Sequence, residues 1–568
     1  MIRVRVPSPA PESPDSKDFK NDKFATLNIK TMQKKDQFLN DKEEEYSIKH
    51  FPSNKIGVEE LERAKDWAEK AAERVIEKFP EMEVYTCAAG ISPSGVVHFG
   101  NFRDLITAFS VFEALKAKGK KARMLFSWDD YDRFRKVPKG ISSEYKEYIG
   151  MPLTEVPDPK EEFSSFAERF EAEFEKALKD LGMEVEIKRQ TELYKSGAYK
   201  EAIIHAVKKR IEIAEILYGS MSKKARTEKY PDAEKFIEEY YPITVYSSFT
   251  GKDNTKVLSF DGEHTIKYLC EDTGKEEEID LRDTERVKLS WKTDWPMRWR
   301  HEGVVFEPGG KDHSTPGGSY DVSSLIARKI FGIEPPVFVG YDFVGLSGLG
   351  GKMSSSMGNA ISPGDLLEIY TPELLKYVYI STPPHRTFNL SFGTVIYKQY
   401  SDLDESEGNT DAIPFKYAVA YGQIVNWDFE KLKEVLKQNE LEYSDESIRE
   451  RLPRAKKWLE KYNPDEMIVM GEEKNTDYYE SLTEEEKREI KELVEYIKAS
   501  DCDDVSEINL KVYEIPKVEG NDDKQNKAAQ KRFFKNIYQL LFSQNRGPRL
   551  ATYIWAVEKN DLIRLLDF

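Results

Sequence analysis

The chain has 568 residues, 39% of them hydrophobic and 12% aromatic, which implies about three packed domains and excludes disorder throughout. No run approaches the ~20 apolar residues that span a bilayer, and the opening MIRVRVPSPAPESPDSKDFKND has no apolar signal core, so no membrane association is expected and the expected location is the cytoplasm. A net charge of −17 excludes a non-specific nucleic-acid coat without excluding clustered RNA contacts, and Cys87, Cys270 and Cys502, with no C-x-x-C pair, exclude a disulfide framework or a four-cysteine zinc site.

Residues 1–55 are polar, with early prolines and the acidic run Glu43–Glu45, the pattern of a mobile tail in which Met32 offers an alternative start. From Gly57 a charged amphipathic helix is predicted through Glu62, Trp67, Ala71 and Val75, stopped by Pro80. Glu83–Cys87 (EVYTC) predicts a strand and AAGISPSGVVHFGN a loop. Phe102, Ile106, Phe109, Phe112 and Leu115 then keep helical spacing up to Gly119, and Arg123–Ser127 predicts the next strand, running into WDDYD. Strand, glycine-bearing loop, helix and strand make a βαβ unit, which binds ligands at the carboxyl ends of its strands. The predicted class is therefore α/β with a Rossmann-type parallel sheet. Residues 141–285, charged helix followed by short alternating segments, read as a mixed insertion between two halves of that sheet. The second half resumes near Trp291 and carries Val337–Val339 as a buried strand. Beyond Pro383 and Pro384 the pattern is helical, with FEKLKEVLKQ, IRERLPRAKKWLEKY, EEEKREIKELVEYIKAS and KAAQKRFFKNIYQLLF as helices. The predicted division is a tail over 1–55, an α/β domain over 56–384 and an all-α domain over 385–568.

Two segments carry chemistry. In SPSGVVHFGN (Ser92–Asn101), Pro93 and Gly95 make a tight turn, while His98, Gly100 and Asn101 open a helix whose free N–H groups attract phosphate. Gly100 is expected to let a nucleotide approach the backbone. In GGKMSSSMGN (Gly350–Asn359), Lys352 and three successive hydroxyls suit a polyphosphate whose charge rises as a bond breaks.

HFGN followed by KMSSS resembles the HIGH and KMSKS signatures of class I aminoacyl-tRNA synthetases. GISPSGVVHFGNFRDL, SWDDYDRFRKVP, GMPLTEVPDP, TDWPMRW, FEPGGKDH, GGSYD and RGPRLA, spread from about Val84 to Leu550, narrow the resemblance to the class I lysyl-tRNA synthetases of archaea and some bacteria. The resemblance implies that lysine is activated by ATP, with Mg²⁺, to an adenylate and esterified to the terminal adenosine of tRNA(Lys), expected at its 2′-hydroxyl. It assigns His98, Asn101 and Lys352 to catalysis. It assigns Ser92, Gly100, Gly310, Asp312, Lys352, Ser354 and Ser355 to ATP. Gly90, Ser92, Asp129, Trp291, Trp295, His313 and Tyr341 are assigned to lysine, with Asp130 beside them and Lys292, Arg298 and Arg300 at the rim or in the framework. The helical domain resembles the family's anticodon-binding domain, with Lys524, Lys527, Lys531, Arg532 and Lys535 leading to Arg546 and Arg549, of which Lys531, Arg532, Lys535 and Arg549 are the tRNA candidates. A monomer is expected.

The chain also departs from the family. Ser355 replaces the second signature lysine. The Cys/His clusters that bind zinc in some relatives are absent, leaving Asp158 and Cys270 without partners, so no zinc is expected. After the loop stands ISTPPHRTF, which disturbs an expected contact with the tRNA end. Two rival readings remain. A nucleotidyltransferase with a small acceptor would need no helical domain, and a synthetase paralogue without chemistry would be expected to lose His98 or Lys352.

Overall fold

In a computed structural model the described residues are 53–64, 66–347, 361–502 and 504–568. The tail expectation for residues 1–52, with Met32, and the calls on Lys352, Ser354 and Ser355 lie outside them.

The amphipathic run after Gly57 is two helices, α1 (Val58–Arg63) and α2 (Trp67–Lys78). The Asp66 carboxylate caps the second by accepting the amides of Ala68 and Glu69, which is why one periodic pattern breaks in two. The expected strand starts later than Glu83 and runs on, as β1 (Tyr85–Ile91). Helix α3 (Phe99–Ala117) follows and ends before Gly119, whose φ of 73° suits glycine, and then β2 (Ala122–Trp128). Helix α4 (Phe166–Asp180) leads into β3 (Glu186–Arg189), which pairs in parallel with β2. The expected insertion over 141–285 therefore contains a strand of the main sheet, and the interruption runs only from about residue 190.

That interruption folds as helices, an antiparallel pair (Ile243–Val245 with Val287–Leu289) and a three-stranded antiparallel sheet (Thr255–Phe260, Thr265–Cys270, Lys275–Asp280). The chain returns through α5 (Trp291–Glu302) to β4 (Val304–Phe306), which lies on the far side of β1 in the parallel order β3-β2-β1-β4. Val337–Val339 extends the sheet as expected: Val337 donates to the Val305 carbonyl at 2.8 Å, and Glu307 and Gly309 donate to Val337 and Val339 at 3.1 Å each. Beyond it, Phe338 donates to Asn54 at 3.0 Å and Ile56 to Phe338 at 2.9 Å. Asn54 and Lys55, placed with the tail by composition, thus belong to the sheet edge. Their backbone groups are satisfied by strand neighbours that a composition pattern does not reveal. Because β1 is followed by β2 on one side and flanked by β4 on the other, the crevice between β1 and β4 is the switch point where such sheets bind ligands.

Past Pro384 the expected all-helical pattern is first broken by a strand. β5 (Val344–Ser347) pairs in parallel with β6 (Phe388–Ser391). Leu390, Phe392, Ile396, Tyr400, Phe415 and Trp458 bury in the same continuous core as Phe102, Leu374 and Tyr379. A separate core, with Ile490, Leu493, Ile508, Phe533, Ile537 and Leu565, holds the helices beyond about residue 476. The core therefore divides near residues 467–476, not at 385. Among the described residues no helix is long and apolar enough to cross a membrane.

Candidate active site

The loop from β1 delivers His98 to the N-cap of α3. The His98 ring Nδ1 accepts the Gly100 amide at 3.0 Å, and the Asn101 side-chain oxygen accepts the His98 amide at 3.3 Å, closing a capping box. A ring nitrogen that accepts an N–H carries no proton, and burial pushes the His98 pKa below its ordinary value, so the imidazole is neutral with its proton on Nε2. Gly100 has a reason other than nucleotide access. A Cβ there would sit 2.8 Å from His98 Cε1 and 2.9 Å from Nδ1, so glycine leaves room for the imidazole itself. Ser92 is half-buried on the same loop and does not line the cavity described next.

At the switch point lies a cavity of about 120 Å³, bounded by Gly90, Asp104, Asp129, Trp291, Trp295, Arg298, Glu307, Gly310, His313 and Tyr341. The structure thus brings together all the lysine candidates except Ser92, from five separate stretches of chain. Trp291 and Trp295, one turn apart on α5, stack at 4.9 Å and 20°, and the His313 ring stands 6.0 Å from Trp295. Gln190 and Tyr199, from the edge of the interruption, complete the wall, the tyrosine hydroxyl donating to Gln190 Oε1 at 3.1 Å.

Charge distinguishes the four acids around this space. Asp129 is held by Arg298, which also grips Asp294, and Glu302 is within 4 Å of Arg123 and Lys188. Asp129, expected to contact lysine, is therefore already compensated by the guanidinium of Arg298, expected at the rim or in the framework. Asp104 and Glu307 are not compensated in this way: among the described residues neither has an ion-pair partner. Asp104 accepts the Gly90 amide at 3.3 Å and hydrogen-bonds the Tyr341 hydroxyl, and Glu307 accepts the Trp299 indole N–H at 2.7 Å. Burial pushes Asp104 up to about 8, with Glu307 repulsion adding to it, and burial pushes Glu307 up to about 7. Sequence reasoning missed both acids. Their signals were present, an aspartate inside an otherwise buried helical face and a glutamate immediately after VVF, at a strand's carboxyl end.

Gly310 caps the short turn Lys311–Ser314 and lines the cavity, while the Asp312 side chain, 83% exposed, stands outside the cavity walls. Lys311 pairs with Asp342 at 3.0 Å, tying this turn to the end of the short strand Gly340–Tyr341.

Of the RNA candidates, Arg532 is engaged by Glu489 and Glu486, and Arg549 donates to Asn439 at 2.9 Å across the two helical cores. Lys524, Lys527, Lys531 and Lys535 form an exposed stripe on the helix Asp523–Phe542 and have no ion pair among the described residues. Beside it Tyr513 packs edge-on against Phe534 at 5.0 Å. Asp158, expected to lack a partner, is held by Arg169 and by the amides of Glu162 and Phe163, which keep it well below the usual carboxylate range. Cys270 is buried, 4.0 Å from the Thr250 hydroxyl. Among the described residues no group of three or more His, Cys, Asp or Glu could hold a metal ion.

The family model described as tRNA synthetases class I (K) matches residues 65–419. The lysine–tRNA ligase of Pyrococcus horikoshii is 34% identical over 535 residues, covering 88% of this chain and 99% of that protein. That of Treponema pallidum is 34% identical with 89% and 99% covered, and that of Streptomyces coelicolor 32% identical with 88% and 98% covered.

Proposed function

The chain belongs to the lysyl family of class I tRNA synthetases, the enzymes that join lysine to tRNA, and from that membership we propose that the cavity between β1 and β4 is its lysine site. One observation carries this reading: two carboxylates with no ion-pair partner among the described residues, the buried Asp104 and the half-buried Glu307, face a cavity that takes on the order of ten water-sized atoms, about the heavy-atom count of lysine. Lysine brings two ammonium groups, and we assign one to each acid. The faces of Trp291 and Trp295 add cation–π attraction and exclude water.

ATP is placed over the start of α3. The His98 Nε2–H and the Asn101 side-chain Nδ2–H are the donors for its phosphates, with Gly310 and Asp312 beside the ribose and Lys352 toward the leaving pyrophosphate. The lysine carboxylate oxygen attacks the α-phosphorus, the bond to the bridging oxygen breaks and pyrophosphate leaves with its electron pair. That step needs alignment and charge stabilisation more than a protein nucleophile. Mg²⁺ is assigned to the triphosphate itself, a hard cation that takes phosphate oxygens, and among the described residues no group of three or more His, Cys, Asp or Glu could hold it. The tRNA is assigned to the exposed lysine stripe, with Tyr513 and Phe534 as stacking faces for unpaired bases.

Proton linkage tests the lysine assignment. Below about 8 for Asp104 and about 7 for Glu307 each acid holds a proton in the free protein, and pairing with an ammonium requires its release. Lysine affinity should therefore rise with pH through that window, then level off. Calorimetry near neutral pH, in two buffers of different ionisation enthalpy, should show proton release on binding. An affinity flat across the window, with no proton released, contradicts the assignment.

A further inference from the structure

Arg103 is the motif residue that the assignments above leave unused, and its setting is unusual. It lies on α3 one turn past the helix start, is 1% exposed, and has no carboxylate partner among the described residues. Its Nη2 instead faces four carbonyls of a single turn: Thr382 at 3.3 Å, Pro383 at 3.0 Å, Pro384 at 3.2 Å and Arg386 at 3.4 Å. Its guanidinium carbon stands 4.8 Å from the centre of the Phe388 ring, while Nε and Nη1 are buried without a partner. Burying a charge in this way is costly, and carbonyl dipoles offset the cost only while the turn keeps its shape. The turn has one backbone bond of its own, the Arg386 N–H donating to the Pro383 carbonyl at 3.0 Å, and Pro383 and Pro384 have no N–H to add to it, so Arg103 Nη2 supplies the further donor that ties the turn to α3.

The turn leads back to the site. The Pro384 carbonyl also accepts the Asp342 amide at 2.8 Å, and Asp342 pairs with Lys311 of the ribose segment. The next residue on α3, Asp104, meets the same strand through the Tyr341 hydroxyl. At the helix start, Phe99 accepts the Tyr379 hydroxyl at 2.6 Å and donates to the Ile361 carbonyl at 3.0 Å. Adjacent residues of one helix thus grip the strand Gly340–Tyr341 by two routes.

We infer that Arg103 is a positioning residue for adenylate formation, holding the helix that presents His98 in register with Tyr341, Asp342 and Lys311 through the Thr382–Arg386 turn. Without it lysine still meets Asp104 and Glu307, but the phosphate-facing helix start is misplaced relative to the ribose segment. Misplacement of about 1 Å suffices for a rate loss near a hundredfold. The inference rests on the activation reading above, and wild-type enzyme assayed alongside separates the two: without lysine-dependent pyrophosphate exchange in wild type, it is that reading which fails.

The experiment uses full-length Arg103→Met and the milder Arg103→Lys, each normalised to active sites by the amplitude of the adenylate burst. Calorimetry gives the lysine Kd of each. The expected result is a per-site activation rate constant lowered about a hundredfold in Met and about tenfold in Lys, with lysine Kd within a factor of about two of wild type. A purely structural arginine would lower the burst amplitude and leave the rate constant per site unchanged. That outcome in whichever variant folds, or an equal loss of rate and lysine affinity, overturns the inference.

Discussion

Asp104→Asn should weaken lysine binding by roughly two to four orders of magnitude while leaving ATP affinity nearly intact, and Glu307→Gln should do the same. Removing one member of a buried ion pair strands the other, at about 3–5 kcal/mol. Both acids lack an ion-pair partner among the described residues, and the other two acids of the wall, Asp129 and Glu302, are already paired with Arg298 and with Arg123 and Lys188, so neither is free to replace the lost charge for the bound ammonium. The isosteric amides keep the volume and one acceptor oxygen, so cavity collapse does not account for the loss. Calorimetric titration of lysine into each variant measures it. An affinity within about threefold of wild type in both would show that the ammonium groups lie elsewhere.

Separating the two halves of the reaction should also have a large effect, and the structure moves the cut. A break at about residue 390 would remove Leu390, Phe392, Ile396, Tyr400 and Trp458 from the core that supports α3, so that fragment should not fold. A break after Met467 instead falls where the cores divide. The shorter protein should keep lysine-dependent pyrophosphate exchange within about tenfold and lose tRNA charging by several orders of magnitude. Each phosphate or stacked-base contact contributes about 1–3 kcal/mol, and Lys524, Lys527, Lys531, Lys535 and Tyr513 are all removed. Both activities are measured on one preparation whose cooperative melting has been verified. Normal charging by that fragment would refute the RNA assignment. Loss of exchange in step with charging would show that the second core supports activation.

The helix start and the βαβ unit were legible from local patterns, above all the periodicity of α3, whereas Gly90, Gly310, Trp291 and Trp295 of the cavity wall came from the family resemblance carried by the motifs around them. What escaped depends on which groups meet across long sequence separations. Asp129 and Asp104 look equally suited to an ammonium until Arg298, 169 positions away from the former, takes its charge. Arg532 and Arg549, expected as RNA contacts, also meet Glu489 and Asn439 from distant stretches of chain. β6 and the Asn54–Ile56 edge are too short for an alternation pattern, and only their partners' backbone groups define them. The boundary at 385 followed the prolines, whereas the core continues past them through Phe392 and Trp458.

A lysine-specific adenylate-forming site between β1 and β4 should declare itself in ATP–pyrophosphate exchange measured with each of the twenty amino acids in turn. Exchange is expected with lysine and, with the other nineteen, at rates lower by at least about a hundredfold: arginine alone shares the second full cation, and its larger planar guanidinium does not fit a cavity sized to lysine. Faster exchange with a different amino acid, or exchange with none while wild-type protein is folded, would contradict that assignment.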